Sequence, residues 1–260
     1  MMSDLDNLSN IERQEQIVQL LSRQKRVTVN DLCDVFSISK ATARRDLEIL
    51  ASQGRIQRVH GGAILVTKAP PELPILERQN EQANEKERIG AATAALINDK
   101  ETVFLGSGTT VLEVARNLID RPLTVITNSL PVINLFASSK SPVEVIVLGG
   151  ELRKSELSFI GHITEQNLSE VYVDKVIIGV RAINLEQGLT NDYFPETNTD
   201  RAIIKMGKEV ILVADHTKFG RVSTVLLAPL TSVQTVVSDE FLPDEYVRQL
   251  KELGIRLILA

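Results

Sequence analysis

The sequence is poor in the residue types that build disulfides and metal sites. It holds one cysteine, Cys33, in 260 residues, so an internal disulfide is excluded and a reducing cytoplasm is the expected compartment. Its three histidines, His60, His162 and His216, lie far apart and lack the spacing of metal ligands. We therefore predict no metal and no other cofactor.

Long uninterrupted apolar stretches are also missing. Thr, Asn, Ser and Pro break up the uncharged residues 123–139, which indicates buried strands and loops rather than a membrane span. Residues 1–11 are acidic and polar, so we do not expect a secretion signal. With 43% hydrophobic and 24% charged residues, the composition is typical of a globular protein with no membrane partner.

Acidic residues are the minority charge in the N-terminal part of the chain, and basic residues are the minority charge in the rest. Residues 11–68 carry 10 Lys and Arg but only 6 Asp and Glu, whereas residues 69–260 carry 19 and 26. The overall net charge of −5 hides this division. It indicates a mildly basic head followed by an acidic body.

The head has the pattern of short helices. Ser9 with Glu12, and Thr28 with Asp31, have the spacing of capping boxes that begin helices. Apolar residues follow each box at helical intervals. The first helix presents Ile17, Leu20 and Leu21, and the second presents Leu32, Val35 and Phe36.

A third helix, SKATARRDLEIL at residues 39–50, combines an apolar face with two arginines. Ser39 can cap this helix. The residues that share its buried face, at about 100° per residue, are Ala43, Leu47 and Leu50. Arg45 points away from that face, Arg44 lies on the flank, and Thr42 lies near the face. Asp46 is expected either to orient one of the arginines or to stabilise the turn at the core.

Three helices with a polar, exposed third helix form a helix-turn-helix, whose third helix fits the major groove of DNA. Arg45 is the stronger choice for a base contact, and Arg44 for a phosphate contact. Gly54 is expected to end the helix as a C-cap. The following RIQRVHGGAILV, residues 55–66, has the alternation and the Gly-Gly turn of a hairpin that can act as a wing. The predicted DNA-binding residues are Ser39, Thr42, Arg44, Arg45, Arg55, Arg58 and His60.

The segment after the head is rich in proline, and the body then alternates strands with helices. KAPPELP at residues 68–74 holds three prolines and predicts a stiff extended linker over residues 68–84. Apolar runs in the body predict a parallel sheet covered by helices on both faces. The predicted strands are residues 103–105, 123–127, 143–148, 176–179, 210–214, 233–237 and 257–259.

Small, polar and basic residues follow several of these strands, where ligands of parallel sheets bind. The loop at residues 106–110, GSGTT, lies between a strand and a helix, where close backbone approach and the helix N-terminus favour an anion. The loop lacks the lysine of a P-loop and the spacing of a dinucleotide fingerprint. Further strand ends carry Asn128, Gly150 with Arg153, and Asp215 with Lys218.

These motifs resemble those of DeoR-type transcriptional repressors. The stretch SKATARRDLEILASQGRIQRVHGGA, residues 39–63, joins the helix motif to the wing motif at a fixed distance, with Ala43 where relatives usually carry Ile. The likeness continues in the body through EKERIG, GSGTT, TNS, LGGELR, FIG, GLT and ADHTKFG.

The resemblance implies a sensor domain that is similar in fold to ribose-phosphate isomerases and detects phosphorylated sugars or related metabolites. It implies a phosphate loop at Ser107, Gly108, Thr109 and Thr110, with Lys86 and Lys218 nearby and Glu196 near the isomerase's catalytic carboxylate segment. Two positions depart from the family pattern: Gly106, where many members carry Asp, and Asp200, where many carry Lys. These departures concern the choice of ligand.

We therefore predict a winged helix-turn-helix domain at residues 1–67, a linker at 68–84 and an α/β effector-sensing domain at 85–260. The expected function is repression of a carbohydrate-catabolism operon, with release by a phosphorylated sugar, in a cytoplasmic homo-oligomer (a dimer or tetramer) that is not an enzyme. Two alternatives stay open: a sugar-phosphate isomerase, with Asp215 and Glu196 able to serve as base and acid, and a regulator that responds to a nucleotide or an acyl-CoA. The predicted effector-binding residues are Lys86, Ser107, Gly108, Thr109, Thr110, Asn128, Gly150, Arg153, Glu196, Asp215 and Lys218.

Overall fold

The computed structural model describes residues 9–24, 26–52, 55–65 and 67–260, in which a small head precedes a larger body. The head elements are α1 (Asn10–Gln24), β1 (Arg26–Thr28), α2 (Val29–Phe36), α3 (Lys40–Ser52), β2 (Ile56–Val59) and β3 (Gly62–Leu65). The elements that follow, as far as α6, are β4 (Thr67–Lys68), a 3-10 turn (Arg78–Asn80), α4 (Ala83–Ala94), β5 (Thr102–Leu105), α5 (Thr109–Arg116), β6 (Thr124–Thr127) and α6 (Leu130–Ala137).

The rest of the body continues the alternation of strands and helices. Its first part comprises β7 (Glu144–Val147), β8 (Glu151–Arg153), β9 (Ser158–Ile160), α7 (His162–Leu168), β10 (Val173–Ile178), β11 (Ala182–Asn184), β12 (Gly188–Asn191) and α8 (Phe194–Met206). Its second part comprises β13 (Gly207–Val213), a 3-10 turn (His216–Lys218), β14 (Arg221–Val222), β15 (Val225–Ala228), a 3-10 turn (Leu230–Ser232), β16 (Thr235–Ser238), α9 (Asp244–Glu252) and β17 (Arg256–Leu259).

The head packs its three helices and the sheet β1-β3-β2 around one apolar core. Ala43 is completely buried there, which confirms the predicted apolar role of its position. Val35 was also expected to face the core, but it is 41% exposed. The buried face of α2 is formed by Val29, Leu32 and Phe36, and Val35 lies at the edge of that face.

The capping interactions predicted for the head are confirmed. In the second box the Asp31 backbone N–H donates to Thr28 Oγ1 at 3.1 Å, and the Thr28 N–H donates to the Asp31 carboxylate at 2.8 Å. The reciprocal bonds of the first box join Ser9 and Glu12. Gly54, the predicted C-cap of the third helix, lies outside the described residues.

Asp46 does not contact the arginines of α3, one of the two roles predicted for it. It is 3% exposed, and its carboxylate accepts hydrogen bonds from Arg13 Nε at 2.6 Å and from Gln14 Nε2 at 3.1 Å. The expectation that it orients Arg44 or Arg45 was therefore wrong, because Asp46 turns inward and joins α3 to α1. A buried carboxylate needs such partners to offset its lost hydration.

The body is built on a seven-stranded sheet in the order β17-β16-β13-β10-β5-β6-β7, with all neighbouring strands parallel. Each predicted strand is present, and helices cover both faces as expected. Along β10, Val176 and Ile178 face one core and Ile177 faces the other, as the alternation of a strand requires. The short sheets β11-β12-β15 and β8-β9 were not predicted, because strands of three or four residues give little periodic signal.

Residues 68–84, predicted as a linker, lie against the body over much of their length. The strand β4 pairs in parallel with β14, and the Ala69 N–H donates to the Val222 carbonyl at 2.9 Å. Ile75 is 1% exposed and donates its N–H to the Ser155 carbonyl at 2.8 Å. This segment is therefore packed, not a bare spacer, while the three domain limits stay predictions.

Candidate functional sites

The exposed side of α3 carries the two arginines that the sequence singled out. The side chains of Arg44 and Arg45 are exposed and form no ion pair or hydrogen bond with the part of the chain that the structure describes. Ser39 Oγ accepts the Thr42 N–H at 3.1 Å and contacts the Thr42 hydroxyl at 2.9 Å, so both hydroxyls help to begin the helix. The guanidinium groups are therefore available to an anionic partner.

The wing lies beside the N-terminal part of α3. Arg58 Nη1 donates to the Arg44 carbonyl at 3.0 Å, and its guanidinium lies 3.9 Å from Glu48, which fixes the wing to the helix. His60 is exposed at the hairpin turn. A cleft between wing and helix is lined by Asn30, Lys40, Arg44, Arg58 and His60. Sequence reasoning missed Asn30 and Lys40, which join this basic surface only through folding.

Arg55 already has a partner within the head. Its two terminal nitrogens contact the Glu15 carboxylate oxygens at 2.7 and 2.8 Å. This bond lowers the pKa of Glu15, although the pair is substantially exposed. A DNA phosphate would therefore have to compete with Glu15 for Arg55, whereas no carboxylate of the described residues competes for Arg44 or Arg45.

A cavity opens in the body where β5, β10 and β13 end. Eight of the predicted effector-binding residues line it: Lys86, Ser107, Gly108, Thr109, Thr110, Glu196, Asp215 and Lys218. This is the edge of a parallel sheet at which ligands are expected. Parallel pairing thus brings together residues that are up to 132 positions apart, since Lys86 and Lys218 share the cavity.

One end of the cavity is suited to an anion. Gly108 precedes α5 with φ of 121°, and no side chain caps the first N–H groups of the helix. Lys86 is 4% exposed, and its ammonium donates to the Arg78 carbonyl at 2.8 Å. Burial lowers the pKa of both Lys86 and Lys218, while the carboxylate of Asp215 opposes the shift. An anion here would relieve the desolvation of two lysines.

A network of buried ion pairs forms the wall beside this end. Arg78 lies 2.8 Å from the Glu72 carboxylate and also contacts Glu156, and Arg181 lies 3.4 Å from Glu72. All four side chains line the cavity. Sequence reasoning missed Glu72 and Arg78 because they belong to the segment read as a linker, and Glu156 because it follows the short strand β8. Arg181 lies just after the predicted strand at β10 but was not singled out.

Two acidic residues of α8 complete the cavity. Glu196 accepts a hydrogen bond from Ser158 Oγ at 2.9 Å and contacts the Arg153 guanidinium. Asp200 accepts a hydrogen bond from Asn191 Nδ2 at 2.8 Å. Burial raises the pKa of Asp200 to about 7, and Arg153 opposes the shift.

Three predicted effector-binding residues are not among those that line this cavity. Asn128 Nδ2 donates to the Phe159 carbonyl at 2.9 Å. Gly150 packs so closely on α7 that an added Cβ would lie 2.1 Å from Thr164 Oγ1. Arg153 lies behind Glu196. Their effector contacts stay predictions, whereas the structure shows positioning roles for all three.

The head contacts the body through a buried wing residue. Gln57 is completely buried, and its Oε1 lies 3.3 Å from Asn184 Nδ2 and 3.4 Å from the Tyr246 hydroxyl. The Arg58 N–H also donates to the Glu186 carboxylate at 3.2 Å. The wing therefore contacts the body at β11 and α9.

Asn184 and Tyr246, the partners of Gln57, both lie near Phe219, which follows Lys218 of the cavity. Phe219 packs edge-on against Tyr246 with ring centroids 5.3 Å apart, and it forms a β-bridge with Ile183, which precedes Asn184. Because Lys218 is the neighbour of Phe219, a short physical path joins the anion end of the cavity to the wing.

Two family models match the chain. The DeoR-like helix-turn-helix domain matches residues 13–69, and the DeoR C terminal sensor domain matches residues 81–240. The chain belongs to the DeoR family. The DeoR-family assignment confirms the predicted resemblance and makes the protein a DNA-binding transcriptional regulator.

Similar proteins include the transcriptional repressor AccR of Agrobacterium fabrum, 36% identical over 89% of this chain and 90% of that protein. The glycerol-3-phosphate regulon repressor of Escherichia coli is 35% identical over 97% of this chain and 100% of that protein. Among solved structures, this chain is similar to ribose 5-phosphate isomerase A of Methanocaldococcus jannaschii. The TM-score is 0.40, with 16% identity over 54% of this chain and 55% of the isomerase. None of the helices in the described part of the chain is long and apolar enough to cross a membrane.

Proposed function

We propose that this DeoR-family regulator represses an operon of carbohydrate catabolism and leaves its operator when a phosphorylated sugar occupies the body cavity. The observation that carries the proposal is the anion end of the cavity, where Lys86 and Lys218 meet the uncapped start of α5. A phosphate carries about −1.5 to −2 charges at neutral pH and would accept the helix N–H groups. The hydroxyls of Ser107, Thr109 and Thr110 would supply further donors.

The same cavity does not favour the isomerase alternative. An isomerase needs a carboxylate that can take a proton from a sugar carbon and return it. Both oxygens of Glu196 are engaged, by Ser158 and Arg153. Asp215 accepts hydrogen bonds from the backbone N–H and hydroxyl of Thr217. We therefore assign these carboxylates to ligand binding and loop geometry, and no catalysis to the protein.

On DNA, we assign sequence reading to Arg45 in the major groove and phosphate contacts to Arg44 and Lys40. The wing adds Arg58 and His60 at the adjoining backbone or minor groove. Since DNA contacts require the chromosome, we place the protein in the cytoplasm.

The contacts that join Lys218 through Phe219 to Gln57 support a mechanism by which a bound sugar phosphate could change the position of the wing. A phosphate that draws Lys218 toward α5 would shift Phe219, and with it Tyr246 and Asn184. Gln57 would then lose its fixed position, and the wing would tilt relative to the body. Coupling of this kind is reciprocal, so operator DNA must weaken binding of the sugar by the same factor.

We further propose a homo-oligomer, a dimer or tetramer, which reads an inverted-repeat operator. Support comes from apolar side chains exposed at the β7 edge of the sheet and in the segments after it. These are Ile146, Val147, Leu152 and Ile163, each at least 40% exposed.

A thermal-shift screen of the full chain against pairs of sugars and sugar phosphates tests the proposal. We expect phosphorylated members to raise the melting temperature and their unphosphorylated counterparts to leave it unchanged. Operator DNA, selected from a random pool, should then be released by the same phosphorylated compound in a fluorescence-anisotropy titration. Equal stabilisation by a sugar and its phosphate would show that the cavity does not bind phosphate.

A further inference from the structure

The part of the cavity wall formed by Glu72, Glu156, Glu196 and Asp200 differs in electrostatic character from the two lysines beside it. The carboxylates of Glu72 and Glu156 contact Arg78, and Glu72 also lies near Arg181. Glu196 contacts Arg153 in the same way. Each of these carboxylates is thus offset by an arginine of the wall.

Asp200, which is half-buried, is the exception among the carboxylates of this wall. Its hydrogen-bond partner within the described residues is the neutral amide of Asn191, at 2.8 Å, and no cationic group lies within 4 Å of it. Arg153, the nearest cation to influence it, is held by Glu196 and Asp192. When Asp200 is ionised, this end of the cavity carries one negative charge that the protein does not pair.

A second carboxylate of this wall has an acceptor oxygen without a donor. Glu156 is 5% exposed and lines the cavity, and its Oε1 atom has no hydrogen-bond partner among the described residues. A buried acceptor in this state costs free energy until a ligand supplies a donor. Glu156 therefore offers a ligand an acceptor without a donor, and Asp200 offers a negative charge without an ion-pair partner among the described residues.

An ammonium group meets both requirements better than a sugar hydroxyl does. It carries a full positive charge and three N–H donors, whereas a hydroxyl offers one uncharged donor. Hydrogen bonds to charged partners are also the stronger ones. A compound with a phosphate for the two lysines and an amine for Asp200 would satisfy both parts of the cavity lining.

We propose that the effector is an amino-bearing sugar phosphate, and that Asp200, assisted by Glu156, is the residue that selects the amine. The inference rests on the proposed function, because the phosphate is placed at α5, Lys86 and Lys218. It adds that the second recognition group is cationic.

The proposal has a pH signature. Burial, with smaller contributions from Glu156 and Glu72, raises the pKa of Asp200 to about 7 against the opposing effects of Arg153 and Asn191. An ammonium ligand favours the ionised carboxylate, so its binding releases a proton below about pH 7. The preference for the amine should therefore strengthen by up to tenfold per pH unit as the pH rises toward 7, and level off above it.

The test compares matched hexose 6-phosphates with an amino or a hydroxyl group at C2, in the gluco, galacto and manno series. Full-length protein is titrated by calorimetry in EDTA, so that no divalent cation replaces the amine, at pH 5.5, 6.5 and 7.5. The hydroxyl member of each pair carries the same titrating phosphate, so the ratio of the two affinities isolates the amine. Inorganic phosphate serves as the probe of the lysine end alone.

We expect the amino member of at least one pair to bind about 10- to 100-fold more tightly at pH 7.5. Asp200→Asn keeps the acceptor for Asn191 and should abolish this preference together with its pH dependence. Glu165→Gln is the matched control, since Glu165 accepts a hydrogen bond from the neighbouring Thr199 but does not line the cavity, and it should retain the preference.

Two contrary results separate this inference from the proposed function. If phosphorylated sugars bind but the amino members bind no more tightly, or if Asp200→Asn keeps the preference, the amine inference is overturned and the phosphate cavity stands. If neither inorganic phosphate nor any hexose phosphate binds, both fail.

Discussion

The head and the body handle positive charge in opposite ways. Arg44 and Arg45 are exposed and have no ion-pair partner among the described residues, whereas Lys86 is buried against a carbonyl and Lys218 lies partly buried beside Asp215. Exposed guanidiniums stay hydrated and charged until a long polyanion displaces their water and counterions. Buried lysines have already lost hydration, so they favour a small anion that can enter the cavity. The same charge thus serves two kinds of recognition because its burial differs.

The largest expected effect concerns the ion pair of Asp46 with Arg13, which is largely buried in the head as the ion pairs of the cavity wall are in the body. Asp46→Ala leaves the Arg13 guanidinium buried without a carboxylate and should destabilise the head by about 3–5 kcal/mol. Denaturant unfolding, with hydrogen exchange in α1 and α3, measures the loss. Glu15→Ala removes the exposed partner of Arg55 and is the control, with an expected cost below about 1 kcal/mol. Similar costs for both variants would contradict the contrast between buried and exposed pairs.

The next effect sharpens the account of the body. The phosphorylated sugar should bind at least about 100-fold more tightly than its unphosphorylated form, a difference of about 2.7 kcal/mol. Thr109→Val and Lys218→Met should each remove most of this discrimination, because they delete a donor and a charge at the start of α5. Calorimetry with both sugar forms measures it. Lys208→Met, at an exposed lysine paired with Asp174, should leave the discrimination intact.

A third prediction tests the exposed arginines against each other. Arg45→Ala should cost about 1–3 kcal/mol on the selected operator and relax preference at one base pair. Arg44→Ala should weaken operator and random DNA alike and reduce the salt slope by about one. Anisotropy titrations at several salt concentrations measure both. Equal losses on operator and random DNA for Arg45→Ala would remove its assignment as a reading residue.

The smallest effect lies at the junction of head and body. Gln57→Leu keeps the size of the buried side chain but loses the acceptor of Asn184 and Tyr246. We expect operator affinity to stay within about threefold, while release by the sugar phosphate weakens by about fivefold, or about 1 kcal/mol of coupling. Tyr246→Phe removes only the hydroxyl and should act in the same direction. Unchanged release in both variants would mean that the signal travels elsewhere.

Much of the fold could be predicted from the sequence, because its signals are local. Capping spacings at Thr28 and Asp31, the apolar runs of the sheet and the face that holds Ala43 depend on neighbours within a few positions. The strand-end rule then placed the GSGTT loop and Lys218 in one cavity, whereas Lys86 of α4 was predicted from the family resemblance.

The rest depended on contacts between distant segments. Arg13 lies 33 positions from its partner Asp46, and Glu72 lies 109 positions from Arg181, so neither pairing leaves a periodic trace. The prolines near Glu72 correctly indicated extended backbone but hid that this segment lines the cavity. Asn128 shows another role for a polar residue at a strand end: it donates to the Phe159 carbonyl of β9 and does not line the cavity, while its effector contact stays a prediction.

The buried Gln57 bears on how regulators of this kind can be recombined. Grafting a head with a different operator preference onto this body would replace Gln57, although that residue faces away from DNA. Its partners Asn184 and Tyr246 would stay behind, and Tyr246 would face a new side chain with its hydroxyl unsatisfied. We therefore expect a chimera that keeps Gln57 to retain release by the sugar phosphate more fully than one that replaces it. The best junction for exchanging heads therefore lies within the wing, beside Gln57, and not in the proline-rich segment at residues 68–74.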